Sequence, residues 1–334
     1  MASAMKKFLL SLFLLSLFFL ILFLPQSSIG FASQGLILWY QTVVPTLFPS
    51  MLLSSLMVET GAASLLMGLI HPLLGKLLGT SPDGTYCFLM GLLCGYPMGA
   101  KTCADMIRRG RISREEGRYL MAFIHFPSPM FVVGYIASVN LILPTWIPIL
   151  AAVYFPAIPL CLLSRHRYCP TPTASPCQTS HTCSSARGSC AVATSTAASG
   201  SVTPDMLDRV ITSGSAVMLK IGIYMMIFNI LAGFSSMISL PSSLPLDPDL
   251  FAPFLCGILE MTTGIRLVSQ TSLPLLTKGC LICFFSSFGG MSVAMQIQSV
   301  LGGSSLSLRH ILPWQLLHGL LAAMIFGICF FFLM

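Results

Sequence analysis

Gly91-Leu-Leu-Cys-Gly95-Tyr96-Pro97-Met-Gly99-Ala-Lys101 breaks an apolar run with glycine, proline and tyrosine and ends on a cation. A second stretch, Gly257-Ile-Leu-Glu260-Met-Thr262-Thr263-Gly264-Ile-Arg266, does the same 165 residues later, counted from Lys101 to Arg266. Each is followed by a second break. Phe126-Pro-Ser128-Pro-Met130-Phe-Val132 follows the first, and Phe288-Gly289-Gly290-Met291-Ser-Val293 the second, at an offset of 161 or 162. Two motifs in one order at nearly one offset read as an internal repeat. In hydrocarbon such breaks free backbone groups that nothing there can satisfy, so they persist only where protein buries them or where they line a wet cavity. Paired interruptions in corresponding halves point to the central site of a transporter.

The surrounding composition sets the solvent. Of 334 residues, 55% are hydrophobic and 8% charged, against about 25% charged in an average soluble domain. Mean hydropathy is +0.87. These values exclude a soluble enzyme, a disordered chain and a nucleic-acid-binding module, and predict an all-α, multi-pass protein of the cell membrane. The net charge of +7 needs no anionic partner, because basic residues retained on the cytoplasmic side account for it. The cysteines in apolar runs behave as small hydrophobes.

Runs long enough to cross, about 20 apolar residues each, lie at 8–24, 35–58, 119–139, 141–163, 217–234, 275–300 and 311–333. The first is expected as a retained helix with Lys6 and Lys7 in the cytoplasm. The segment 62–78, broken by Pro72 and Lys76, reads equally as an interfacial helix or a span. Lys101 to Arg118 is the densest charge cluster, with six Lys/Arg and three acids, and is placed in the cytoplasm. Thr171 to Thr203 has no aromatic residue and 15 Ser or Thr among 33, so it cannot bury enough apolar area to order itself and is expected as a flexible linker. Its neighbourhood holds Cys169, Cys177, Cys183, Cys190 and His181 at spacings that match no standard zinc site.

At these residues a resemblance emerges. Gly95-Tyr96-Pro97-Met98-Gly99-Ala100-Lys101, then a basic loop, then Phe126-Pro-Ser-Pro-Met130, resembles the YlbJ-type sporulation integral membrane proteins of the nucleoside-recognition, or Gate, domain group. It covers Thr42 to the last helix without the linker. Ser128 stands where the family pattern is expected to carry Asn. The resemblance implies a membrane protein made during spore formation and linked to moving dipicolinate towards the developing spore. Gate domains are similar to nucleoside carriers, in which two re-entrant hairpins meet two unwound helices at the midplane. Carried over, that puts hairpin tips at Tyr96–Gly99 and Met261–Gly264, and unwound helices at Phe126–Pro129 and Ser287–Gly290.

The expected fold is therefore two inverted repeats, each with a re-entrant hairpin and an interrupted transmembrane helix. The expected parts are an N-terminal helix (1–34), a first Gate-like repeat with an additional helix (35–164), a cytoplasmic linker (165–209), and a second repeat with the C-terminal helix (210–334). Hairpins give seven crossings; a ten-span reading without hairpins makes the matched motifs run in one direction.

Ionisable groups at membrane depth are costly and carry a role by default. Lys101 and Arg266, matched by the repeat, suit an anionic solute, with hairpin-tip amides adding to the attraction. Glu260 suits a coupling proton or neutralises a cation. His125 suits solute or proton. The expected substrate-binding set is Gly95, Tyr96, Pro97, Gly99, Lys101, His125, Ser128, Glu260, Thr262, Thr263, Gly264, Arg266, Ser287, Gly289 and Gly290. No His-Glu-x-x-His, Walker loop or dinucleotide fingerprint occurs, so neither an enzyme, a cofactor nor a metal is expected. The expected partners are lipid and a small anionic or aromatic solute, without nucleic acid; a coupling ion or proton and a homo-oligomer stay open. An assembly or gating partner that transports nothing, and a nucleoside carrier, are the alternatives.

Overall fold

The computed structural model describes residues 2–141, 143, 146–168, 203–237 and 248–333, and among these there are helices and no strand. Helix α1 is Ala2–Phe23. Helix α2, Pro25–Glu59, is 35 residues long and passes through a π-helical turn at Trp39–Val43. Helix α3 is Ala62–Leu78, α4 Pro82–Cys94, α5 Met98–Arg108 and α6 Arg114–Leu120. Helix α7 starts at Pro129–Phe131 and runs on as the π-helix Val132–Asn140. Then come α8, Ile147–Tyr168, and α9, Pro204–Ser236. The last five are α10 (Pro248–Leu259), α11 (Met261–Gln270), α12 (Leu275–Phe288), α13 (Gly290–Val300) and α14 (Leu308–Leu333).

Among the described residues five helical stretches are long and apolar enough to cross a bilayer: α2, α8, α9, α12 with α13, and α14. A sixth is the pair α3–α4, bent by 91°. Helix α3 leaves Leu65, Leu69, Leu73 and Leu77 exposed, a single stripe at i, i+4 spacing that suits lipid rather than water.

Two pairs of short helices fold back on themselves. Helices α4 and α5 have 13 and 11 residues, about 20 and 16 Å, well short of the roughly 30 Å hydrocarbon core. Helices α10 and α11, with 12 and 10 residues, are equally short. Without a hydrophobic drive between helices in lipid, close approach through small residues supplies the packing. Here the glycines do so: a Cβ on Gly99 would sit 2.8 Å from Gly91 Cα, and one on Gly264 2.2 Å from Gly257 Cα. The two pairs contact α2 at different levels. Arg109, just after α5, pairs with Glu59 at 2.5 Å, and Arg266 of α11 donates to Gln34 at 2.6 Å. Those two α2 residues are roughly 37 Å apart at 1.5 Å per residue.

The mouth of the first pair is fastened by caps. Ser81 accepts the Gly84 amide at 3.1 Å, and Ser113 the Glu116 amide at 3.0 Å. Glu116 is buried and accepts the Ser81 amide at 2.8 Å, which ties α6 to the start of α4. Arg111 pairs with Asp83 through two nitrogens. Burial pushes the Glu116 carboxyl above its ordinary 4.5, against the pull of the Ser81 bonds. A carboxyl raised in the fold contributes stability that is fully present below its ordinary value and is lost as pH rises through the raised one. The detergent-solubilised protein should therefore gain more thermal stability on mild acidification than Glu116→Gln does; identical pH slopes would remove this role.

The structure revises three boundaries. The helix expected from residue 35 begins at Pro25, inside the 1–34 segment, because Pro25 suits a first helical turn and Ser28 Oγ bonds back to the Leu24 carbonyl at 2.8 Å. The expected span 119–139 is the end of α6 and nearly the whole of α7 with non-helical 121–128 between them. Helix reaches into the expected linker 165–209 at both ends, to Tyr168 and from Pro204, where Thr203 Oγ1 accepts the Met206 amide. The rest of that linker, 169–202, with its four cysteines and His181, lies outside the described residues.

Candidate functional site

Each turn of a short helix pair rests on a break in a longer helix. Gly95 takes φ +74°, and a Cβ there would lie 2.4 Å from the Ser128 nitrogen. The Tyr96 amide donates to the Phe126 carbonyl at 3.0 Å. In the second half Gly289 and Gly290 take φ +81° and +71°, and a Cβ on Gly290 would meet the carbonyls of Gly257, Ile258 and Leu259. Only glycine combines that backbone with that proximity. The two turns also touch. Tyr96 Oη lies 2.6 Å from Met261 Sδ and 3.2 Å from the Ser286 carbonyl oxygen.

Four helices thus begin around one point: α5 after Pro97, α7 after Ser128, α11 after Glu260 and α13 at Gly290. Two have side-chain caps. Ser128 Oγ accepts the Phe131 amide at 3.3 Å. Glu260 is buried, and its Oε2 accepts the Thr263 amide at 2.8 Å and the Thr262 hydroxyl. The Tyr135 hydroxyl donates to the Thr262 carbonyl at 2.9 Å, and Thr263 Oγ1 to Asn229 Oδ1 at 2.5 Å.

A cavity of about 50 Å³ sits at this point, lined among others by Tyr96, Pro127, Ser128, Glu260, Thr262 and Gln296. Two larger cavities flank it. One, about 430 Å³, is lined by Lys101, Arg108, Arg109, Arg209 and Lys220, with Glu59 and Asp105 as its acids. The other, about 350 Å³, is lined by Arg266 with Gln34, Gln41, Tyr135, Asn229, Thr262 and Thr263, and has no acid. The three lie in a file. Along α2 they take residues 34–41, then 43–47, then 54–59; along α9 they take Asn229, then 221–225, then 206–220. The small cavity is the constriction between two vestibules.

The expected residues are placed unevenly. Tyr96, Ser128, Glu260 and Thr262 line the constriction, while Gly95, Pro97, Gly99, Gly264, Gly289 and Gly290 shape the breaks around it. Lys101 and Arg266 line different cavities. They sit along the arms of their pairs, not at the turns, so each faces its own vestibule, Lys101 in an ion pair with Asp105 at 2.9 Å. His125 and Ser287 are buried but line none of these cavities. Sequence reasoning missed Gln34, Gln41 and Tyr135. Gln34 and Gln41, seven apart in an apolar helix, share a face, and that was the available signal.

These helices, breaks and cavities define a multi-pass membrane protein of the all-α class. Over 323 residues the chain is 26% identical to the sporulation integral membrane protein YlbJ of Bacillus subtilis (strain 168), covering 90% of this chain and 76% of that protein. That match and the motifs quoted above support a YlbJ-type assignment. No family model matches the chain, and no solved structure does.

Proposed function

We propose that this protein is a secondary carrier or permeation pathway for a small anionic solute, acting in spore formation, with dipicolinate as the first solute to test. The observation that carries the reading is the file of three cavities along α2 and α9. Cations stand in both vestibules, and four helix N-termini surround the constriction, where their dipoles favour negative charge. Glu260 offsets part of that field. In this reading α4–α5 and α10–α11 are re-entrant hairpins of an inverted repeat, entering from opposite faces. The nucleoside alternative is less well supplied, because the amide of Asn229 is already engaged by Thr263 and by the Met225 carbonyl.

Uptake into proteoliposomes decides between the readings. Saturable dipicolinate uptake, competed by other aromatic dicarboxylates and not by nucleosides, is expected. Nucleoside uptake alone would favour the nucleoside carrier, and no uptake of either would favour the assembly partner. Topology gives a second check. A cysteine at Ser185 should label only from the cytoplasmic side, and a tag after Met334 should appear outside. A tag found inside would favour ten spans over hairpins.

A further inference from the structure

Behind the first break lies a buried polar cluster that no cavity of the file reaches. His318 Nδ1, both polar atoms of the Gln315 amide and Ser287 Oγ have no partner in hydrogen-bond geometry, and the His125 ring has none beyond a loose approach to the Met121 backbone. All four side chains are buried. They come from three elements but share one region. Gln315 and His318 are one turn apart on α14 and so share a face. The contacts of Gly279 with Phe326 and of Gly319 with Phe284 set the register of antiparallel α12 and α14, and that register puts Ser287 level with His318. His318 Nε2 lies 2.9 Å from the Val153 carbonyl oxygen, and the His318 ring packs against Phe126, the residue next to His125. Buried polar groups are normally paired, and leaving them unpaired is costly away from water. So many unpaired atoms together at membrane depth call for a ligand.

The ligand must be small and able to exchange hydrogen bonds with imidazole and amide. Among the described residues no carboxylate faces the cluster: α8, α12, α13 and α14 contain none. Those of α4 and α6 lie at the mouth, where Asp83 pairs with Arg111 and Glu116 takes the Ser81 amide. Several other titratable groups on the packed elements are engaged elsewhere. Tyr154 donates to the Pro127 carbonyl at 2.9 Å, Tyr119 to the Leu78 carbonyl, Lys278 to the Ser269 carbonyl, and Cys280, Cys283 and Cys161 are thiols. Among the described residues no group of three or more metal-ligating side chains occurs. The cluster is also wired to the constriction. The Phe126 ring packs edge-on against His318, with centroids 6.0 Å apart, while the Phe126 carbonyl holds the Tyr96 amide.

We propose that His125 and His318, with Gln315, Ser287 and bound water, form a proton-binding site, and that its occupancy is relayed through Phe126 to Tyr96 at the constriction. A proton delivered by water adds to an imidazole nitrogen and leaves by the same route, so no other reactant is needed. The relay to transport rests on the carrier reading above; the site itself does not. The full chain, labelled with ¹⁵N-histidine and held in lipid bilayers, is examined by solid-state NMR. Two imidazole signals, each lost in one of His125→Gln and His318→Gln, should exchange magnetisation with water and convert to imidazolium on acidification. Neutral, water-free signals throughout the range in which the protein stays folded would overturn the site. In proteoliposomes, an imposed proton gradient should drive dipicolinate accumulation in the wild type. His125→Gln should lose that accumulation while keeping solute exchange. Accumulation unchanged in His125→Gln and in His318→Gln would overturn the relay. Absence of uptake by the wild type, with titrating NMR signals, would instead sink the carrier reading and leave the site standing.

Discussion

Gly264→Ala is expected to destabilise the protein more than the loss of any surface charge. The added methyl would sit 2.2 Å from Gly257 Cα and 2.5 Å from the Gly257 nitrogen, and both obstacles are backbone. A side chain in the way could turn aside, but two helices pressed together can only move apart. Separation of α10 from α11 would also shift Gly257–Leu259 away from Gly290 and pull the Glu260 cap off the Thr263 amide. Overpacking of this kind costs about 3 kcal/mol, a large part of a typical folding stability. The natural control is Gly68→Ala in α3, where a methyl meets nothing within 4 Å and helix propensity improves by up to about 1 kcal/mol. Thermal melting in detergent, read as the monodisperse fraction after heating, should show a fall for the first and no fall for the second. Equal melting of the two would mean that the glycine contact does not hold the pair together.

The paired breaks were legible because the chemistry that permits them is visible in the letters. A backbone that leaves helical geometry inside a membrane needs glycine or proline at the turn and polar caps beside it, as at Gly95, Ser128, Glu260 and Gly289. Where helices begin was less legible. Ser27, Ser28 and Gln34 fall between the expected runs 8–24 and 35–58, yet all lie within α2, because a serine can bond back to the preceding turn without ending a helix and small residues favour close helix contact. Asn229 shows the second effect: its side chain packs where a Cβ on Gly35 would stand. The position of the cations was not legible either. The repeat matches Lys101 with Arg266, but a match in sequence says nothing of which way a side chain leaves its helix. Both leave towards vestibules, not towards the constriction. The buried pair of Gln315 and His318 gave a usable signal, two polar residues at i, i+3 in the last span, which stood apart from every motif that the repeat supplied.

The separation of the two cations makes them unequal in function. Lys101 shares Asp105 with Arg108, and three further basic side chains line the same vestibule. Removing one charge there leaves an anion with other partners in a partly solvated space, a loss of about 1 kcal/mol or less. Arg266 is the one basic side chain lining its vestibule; it bonds the neutral Gln34, and no acid stands beside it in that cavity. A charge-assisted hydrogen bond from it to a carboxylate is worth about 1.5–3 kcal/mol, or roughly 10- to 150-fold in affinity. Under the carrier reading, Arg266→Gln should therefore raise the half-saturating solute concentration by that factor when solute is supplied on the Arg266 side. Lys101→Gln should raise it less than about fivefold from the other side. Arg114→Gln, exposed at the first turn of α6, is the control expected to do nothing; Arg111 cannot serve, because Asp83 holds it. Vesicles of defined orientation separate the two sides. Equal losses for Lys101→Gln and Arg266→Gln, or a loss for Arg266→Gln seen equally from both faces, would mean that the cations do not act in separate vestibules.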